Sequence, residues 1–378
     1  MTRTRLAFVG VSLMTVMLFT GMVFSSRETK NELYRALGNL AEVVHLVRTD
    51  YVDPIDTKAL ALALDAGIVE SVDRTAAVLP ADEVDAYEKL VDEPPPFGIV
   101  LGVRLSSAAA RQVLAASPAD TSGLKQGEVI EQVDGVYTRG RPLWQLRLEL
   151  KDRAAHGETV HLTVLDREVE KRREVDLEPS QWSPRVAEVE QRDGVRVLRI
   201  LALPQGSVAE LRPLLAPPGP LVVDLRELGW GLEDEAIQAA DLFTDEGLLG
   251  GWKGGRAGSQ TYAATTGATV DDPPVVMVGA DTEGVGEILA AALRRAGAEV
   301  VGTRTAGHAP HMRMIRDSDI NLWIPVGEWL RADGEVIDGQ GIEPDEVVEP
   351  GSEGEDPMLD RALEILREQQ STHERQAA

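Results

Sequence analysis

From Gln181 onward short apolar runs alternate with amphipathic stretches, and this alternation restricts the fold more than any other feature of the chain. Val195–Ile200, Leu221–Leu225, Val275–Gly279 and Glu299–Gly302 read as strands. Ser207–Leu215, Glu233–Phe243 and Glu287–Ala296 read as the helices between them. Strands and helices in alternation imply an α/β or mixed-sheet domain, because a helix after each strand covers a face of the sheet. The segment from Gly339 to Asp345 is a turn-rich approach to a strand, and a last helix from Pro357 to about Gln369 leads into a polar tail.

The N-terminus carries a different signal. Arg3 and Arg5 precede an uninterrupted uncharged run from Leu6 to Phe24, which closes at Ser25-Ser26-Arg27-Glu28. Residues 1–27 therefore read as an export signal or a membrane anchor. The basic side is expected to stay cytoplasmic, placing the rest in the cell envelope on the periplasmic side of the inner membrane. With 378 residues, 43% of them hydrophobic, the chain is long enough for two or three domains with their own cores. A formal net charge of -25 excludes nucleic acid as a partner, since phosphate binding needs clustered Lys and Arg. The chain has no cysteine, which excludes a disulfide framework, a thiol nucleophile and a cysteine zinc site.

Between these ends the texture changes twice. Leu33, Leu37, Leu40, Val44 and Val47 recur at three- and four-residue spacing and predict an amphipathic helix over residues 31–52, stopped near Pro54. Further helices are expected over Thr57–Val72 and Glu83–Val91, and Glu93-Pro94-Pro95-Pro96 breaks the pattern. Residues 28–96 are thus a helical region. From Phe97 to about residue 180 short strands take over, the clearest being Ile99–Val103, Val129–Val133 and Val160–Leu165. The string Gly123-Leu124-Lys125-Gln126-Gly127-Glu128-Val129-Ile130, followed by Val133-Asp134-Gly135, resembles a PDZ domain. That resemblance implies that Phe97-Gly98-Ile99-Val100 is the loop offering N–H groups to a peptide's terminal carboxylate, with the peptide added as a strand. The alternative is that these four residues only form an apolar strand of a small barrel.

Tyr51-Val52-Asp53-Pro54, the PDZ-like string, Asp224-Leu225-Arg226, the helix Asp234–Phe243 and Gly339-Gln340-Gly341-Ile342-Glu343-Pro344-Asp345 occur in the order found in the carboxyl-terminal processing peptidases, or tail-specific proteases. The chain resembles that family over almost all of its length after residue 30. The resemblance implies an α+β multi-domain protein with an N-terminal helical region (28–96), an inserted PDZ domain (97–180), a mixed-sheet crotonase/ClpP-like core (181–350) and a C-terminal helix and tail (351–378).

The family's reactive serine stands three residues before a glutamate that opens a helix; counting back from Glu287 puts Gly284 there. Its lysine base is matched by His308, and the glutamine that orients that lysine by Met312. Its glycine-rich oxyanion loop is matched by Gly229-Trp230-Gly231, where Trp230 brings a large ring to the substrate side. Glycine has no atom to attack a carbonyl, so acyl transfer through this position is ruled out. Thr282 is the one nearby hydroxyl that could substitute, with His308 or His311 as base, but its two-residue displacement favours a turn or capping role. His308, His311, Asp317 and Asp319 lack the tight spacing of a metal site, and no metal or cofactor is expected.

Three functions follow from the resemblance and its departures. One is a pseudopeptidase that binds polypeptide C-termini or a partner protein; another is an active serine-type endopeptidase. The last is a structural envelope protein whose helical N-terminus drives homo-oligomer formation.

Overall fold

The computed structural model describes residues 34–377 except 54, 74, 167–170, 271, 318–319 and 353. The apolar run from Leu6 to Phe24 lies outside the described residues. The chain divides into two compact units, Met1–Asp65 and Ala66–Ala378. In the first, residues 34–50 are helical; the next helix, Thr57–Glu70, begins in the first unit and ends in the second. Among the described residues no helix is long and apolar enough to cross a membrane.

The larger unit is an α+β structure built on three sheets. Its centre is a six-stranded sheet in the order Glu346–Val347, Glu299–Gly302, Val275–Val278, Leu221–Asp224, Val195–Ile200 and Ala187–Arg192. All neighbours are parallel except the last pair. The strand side chains alternate between two cores. Val276 and Val278 pack with Ile288 and Leu289 of the helix Val285–Arg295, whereas Val275 and Met277 pack with Met358 and Leu366 of the C-terminal helix. A strand covered on both faces needs a continuous apolar run, and Val275-Val276-Met277-Val278 supplies one.

A second, antiparallel sheet joins Ala77–Leu79, Ile320–Leu330, Leu248–Gly254 and Ser259–Ala263, with Pro310–Asp317 also paired to Ile320–Leu330. None of these strands is foreshadowed by clean alternation. Ile320–Leu330 carries Pro325 inside it and has partly buried residues on both faces.

The third sheet is an antiparallel lobe in the order Ile99–Arg104, Ser107–Val113, Val129–Val133, Val160–Asp166 and Lys171–Leu177, with Val136–Tyr137 paired to Val129–Val133. Its core gathers Phe97, Leu101, Ile130 and Leu162 against Leu146 and Leu150 of the helix Leu143–His156. Ile99–Arg104 is an edge strand. Neighbouring residues of the next strand tie the lobe to the central domain: Arg111 pairs with Glu283 at 2.5 Å, and Gln112 donates to the Glu227 carbonyl at 2.7 Å.

Candidate functional site

The turn from Val275–Val278 into the helix Val285–Arg295 ends at Gly284, which caps the helix with φ 54° and ψ −112°. Residues with a Cβ enter that region only under strain. Space is not the obstacle, since a Cβ built there would lie 3.6 Å from the Gly229 carbonyl oxygen and 3.9 Å from that of His308. The position matched to the nucleophile therefore keeps a sharp strand-to-helix turn with room for a side chain, but has no side chain.

Thr282, two residues earlier, is fully buried. Its hydroxyl donates to the Leu225 carbonyl at 2.9 Å and accepts the Gly279 N–H at 2.9 Å. A hydroxyl held on both sides inside the turn is a structural bond.

Glu287, in the first turn of the same helix, is also fully buried. Its Oε1 accepts the Thr305 hydroxyl at 2.5 Å and the Gly307 N–H at 2.7 Å; its Oε2 accepts the N–H of His308 at 2.9 Å and of Gly284 at 3.2 Å. Burial raises its pKa above the ordinary carboxylate value, opposed by these four donors. The carboxylate thus fixes the His308 segment against the helix N-terminus.

His308 is half-buried, with Nδ1 at 3.6 Å from Asp338 and Nε2 at 3.9 Å from Glu283. Glu283 in turn holds Arg111, whose pKa is lowered by burial, raised by Glu283 and lowered again by the like charge of Arg147. Met312 lies beside a bulge in its strand, with its sulfur 4.0 Å from the Thr75 hydroxyl.

Part of this arrangement opens onto one cavity of 240 Å³, which neither Thr282 nor Glu287 lines. Gly284, His308 and Met312 line it together with Gly229, Trp230 and Gly231, and the lobe contributes Ile99, Val100, Leu101, Arg111 and Arg147. The one hydroxyl side chain among the described lining residues is Thr75, whose Oγ donates to Asp73 at 2.6 Å. Phe97 and Gly98 do not line the cavity: Phe97 is buried in the core of the lobe. The Gly98 N–H donates to the Pro95 carbonyl at 2.8 Å and the Ile99 N–H to Pro96, so both are already committed within the loop.

A polar network in the cavity wall escapes the sequence reading. Glu233, the first residue of the helix Glu233–Ala240, accepts the Trp329 indole N–H at 2.8 Å and meets His311 Nδ1 at 2.7 Å. His311 stacks on Trp252 with ring centroids 4.2 Å apart, and its Nε2 accepts from Arg313 at 3.0 Å. This places His311 in a network separate from His308; Asp319 lies outside the described residues. An acidic residue opening a helix, favoured there by the helix dipole, was the available signal for Glu233.

Residues 217–348 match Peptidase family S41. A probable CtpA-like serine protease of Staphylococcus haemolyticus (strain JCSC1435) is 28% identical over 240 residues, covering 61% of this chain and 47% of that protein. A carboxy-terminal-processing protease of Bartonella bacilliformis is 24% identical over 347 residues, 85% of this chain and 77% of the relative. The chain thus spans about half the length of the first relative and about three quarters of the second. Among solved structures, the photosystem II D1 C-terminal processing protease superposes with a TM-score of 0.65 at 18% identity, over 79% of this chain and 84% of that one. That likeness shows a shared fold.

Proposed function

This chain carries a domain of peptidase family S41, and from that premise we propose that it is a non-cleaving member that holds polypeptide C-termini, or a partner protein, in the cavity between its antiparallel lobe and its central domain. The observation that carries the reading is Gly284: the turn that would present a nucleophile lines the cavity without a reactive atom. Thr282 does not replace it, because its hydroxyl is bonded inside the turn. Thr75, the one hydroxyl in the lining, sits on Asp73.

On this reading residues 97–180 are a PDZ domain, the core is of the crotonase/ClpP type, and the apolar run from Leu6 to Phe24 exports or anchors the protein at the periplasmic side of the inner membrane. The edge strand Ile99–Arg104 supports peptide binding, since its free side is the place where an extended chain adds to a sheet. Trp230, lining the cavity, supplies an aromatic surface for an apolar side chain. The competing reading, proteolysis, rests on the relatives named as serine proteases.

One experiment separates the two. Purified full chain is incubated with an unfolded protein bearing an apolar C-terminus, and cleavage is followed by mass spectrometry while anisotropy reports binding. Binding without cleavage is expected. Cleavage that disappears with His308→Ala would establish a peptidase and overturn the reading.

A further inference from the structure

Arg147 stands out among the charged groups of the cavity. Glu93 pairs with Lys151 at 2.5 Å, Glu233 is held by His311 and Trp329, and Glu283 holds Arg111. Arg147, half-buried on the helix Leu143–His156, donates instead to two neutral acceptors: the Tyr87 hydroxyl at 3.3 Å and the Leu101 carbonyl at 3.2 Å. Among the described residues no carboxylate lies within ion-pair distance of it. A guanidinium left without an anion in a partly apolar cavity is a ready receptor for one, because its fork matches a carboxylate with two parallel hydrogen bonds.

Two further observations say which anion. Arg147 bonds Leu101, and Leu101 belongs to the edge strand that an incoming chain would extend. The backbone donors at the start of that strand, Gly98 and Ile99, are already bonded to Pro95 and Pro96. Resting on the peptide-binding reading above, we propose that the free α-carboxylate of a bound polypeptide is received by Arg147, with Arg111 beside it, rather than by the Phe97-Gly98-Ile99-Val100 loop. Arg147 serves as a placeholder. It occupies the Leu101 carbonyl in the empty protein and exchanges it for the carboxylate, which frees that carbonyl for an N–H of the added chain. No covalent step is involved.

The test uses an unstructured, fluorescein-labelled ten-residue peptide with three apolar residues at its end, made as the free acid and as the C-terminal amide. Both are titrated with the full chain. The free acid is expected to bind about tenfold or more tightly than the amide, the range of one charge-assisted pair. Arg147→Gln, checked by its melting curve, is expected to bring the free acid down to the affinity of the amide. On the wild type, the preference is expected to shrink as ionic strength rises, a readout independent of how the variant folds. Equal affinity for both forms in the wild type would overturn this inference and leave peptide binding standing. A preference that survives Arg147→Gln, or is insensitive to salt, would overturn it as well. Binding of neither form would overturn the peptide-binding reading and this inference together.

Discussion

Glu287 accepts the Thr305 hydroxyl at 2.5 Å, joining the first turn of one helix to the segment that leads to His308. A buried carboxylate is tolerated when its lone pairs are filled, and three backbone N–H groups complete the set. Gly284 and His308, the two positions matched to a nucleophile and a base, are therefore held together by a residue that takes no part in either role. The geometry of this turn is thus set by Glu287 and its four donors.

That arrangement predicts a pH effect. Because burial raises the folded-state pKa of Glu287, the folded protein binds this proton more tightly than the unfolded chain. Its contribution to stability is then greatest below the ordinary carboxylate value of 4.5, declines as pH rises through the raised folded value, and is flat above it. Glu287→Gln should remove this falling limb. It should also destabilise the protein by about 1–3 kcal/mol, since an amide nitrogen would face N–H donors. Urea unfolding of both proteins across the acid range checks the two statements, and parallel pH profiles would refute the first.

Thr282→Val keeps the shape of the side chain and removes the hydroxyl from between Leu225 and Gly279. Two buried backbone groups lose a partner, at a cost of about 1–3 kcal/mol. Peptide affinity should not change. A lowered urea midpoint with unaltered anisotropy is the expected pair of results, whereas altered binding at full stability would put Thr282 in the functional site.

Gly98 invites a test that its surroundings make uninformative about binding. Its φ is 79°, and a Cβ there would lie 2.1 Å from the Ser117 Cβ. Gly98→Val should therefore disrupt the lobe itself, combining backbone strain with a clash against the Cβ of buried Ser117, which no rotamer change relieves. Loss of amide protection across Ile99–Leu177 in hydrogen exchange is the expected signature. A lobe that stays protected while peptide binding disappears would return the carboxylate role to this loop.

The legible parts of this fold are those where one short run decides an element. Val195–Ile200, Ser207–Leu215 and Glu299–Gly302 form as the apolar pattern predicts, because strands buried on both faces and one-faced helices leave a strong local trace. The antiparallel sheet through Ile320–Leu330 leaves none, since its pairings are long-range and its residues are only partly buried. The candidate site divides in the same way. Gly284, His308, Met312 and Trp230 are visible by counting along motifs, and the structure brings them into one cavity. Arg147 and Glu233 are ordinary helix residues in sequence. Their interest comes from Leu101 and His311, which lie far from them along the chain.

On the non-cleaving reading, Gly284→Ser tests whether a hydroxyl at this position is enough to produce cleavage. Sterically the serine fits, because the nearest atoms to its Cβ are the carbonyl oxygens of Gly229 at 3.6 Å and His308 at 3.9 Å. The backbone at φ 54° and ψ −112° would then be strained, and a loss of about 1–3 kcal/mol is expected. Activity should not follow. The side chain would face two carbonyl oxygens, which accept the hydroxyl's proton without removing it, and no ring atom of His308 lies within 4 Å of that Cβ. The expected outcome is a folded variant with a lower urea midpoint that still binds the unfolded protein and leaves it intact. Cleavage by Gly284→Ser, abolished by adding His308→Ala, would show instead that His308 can serve as the base and that the glycine alone accounts for the missing chemistry.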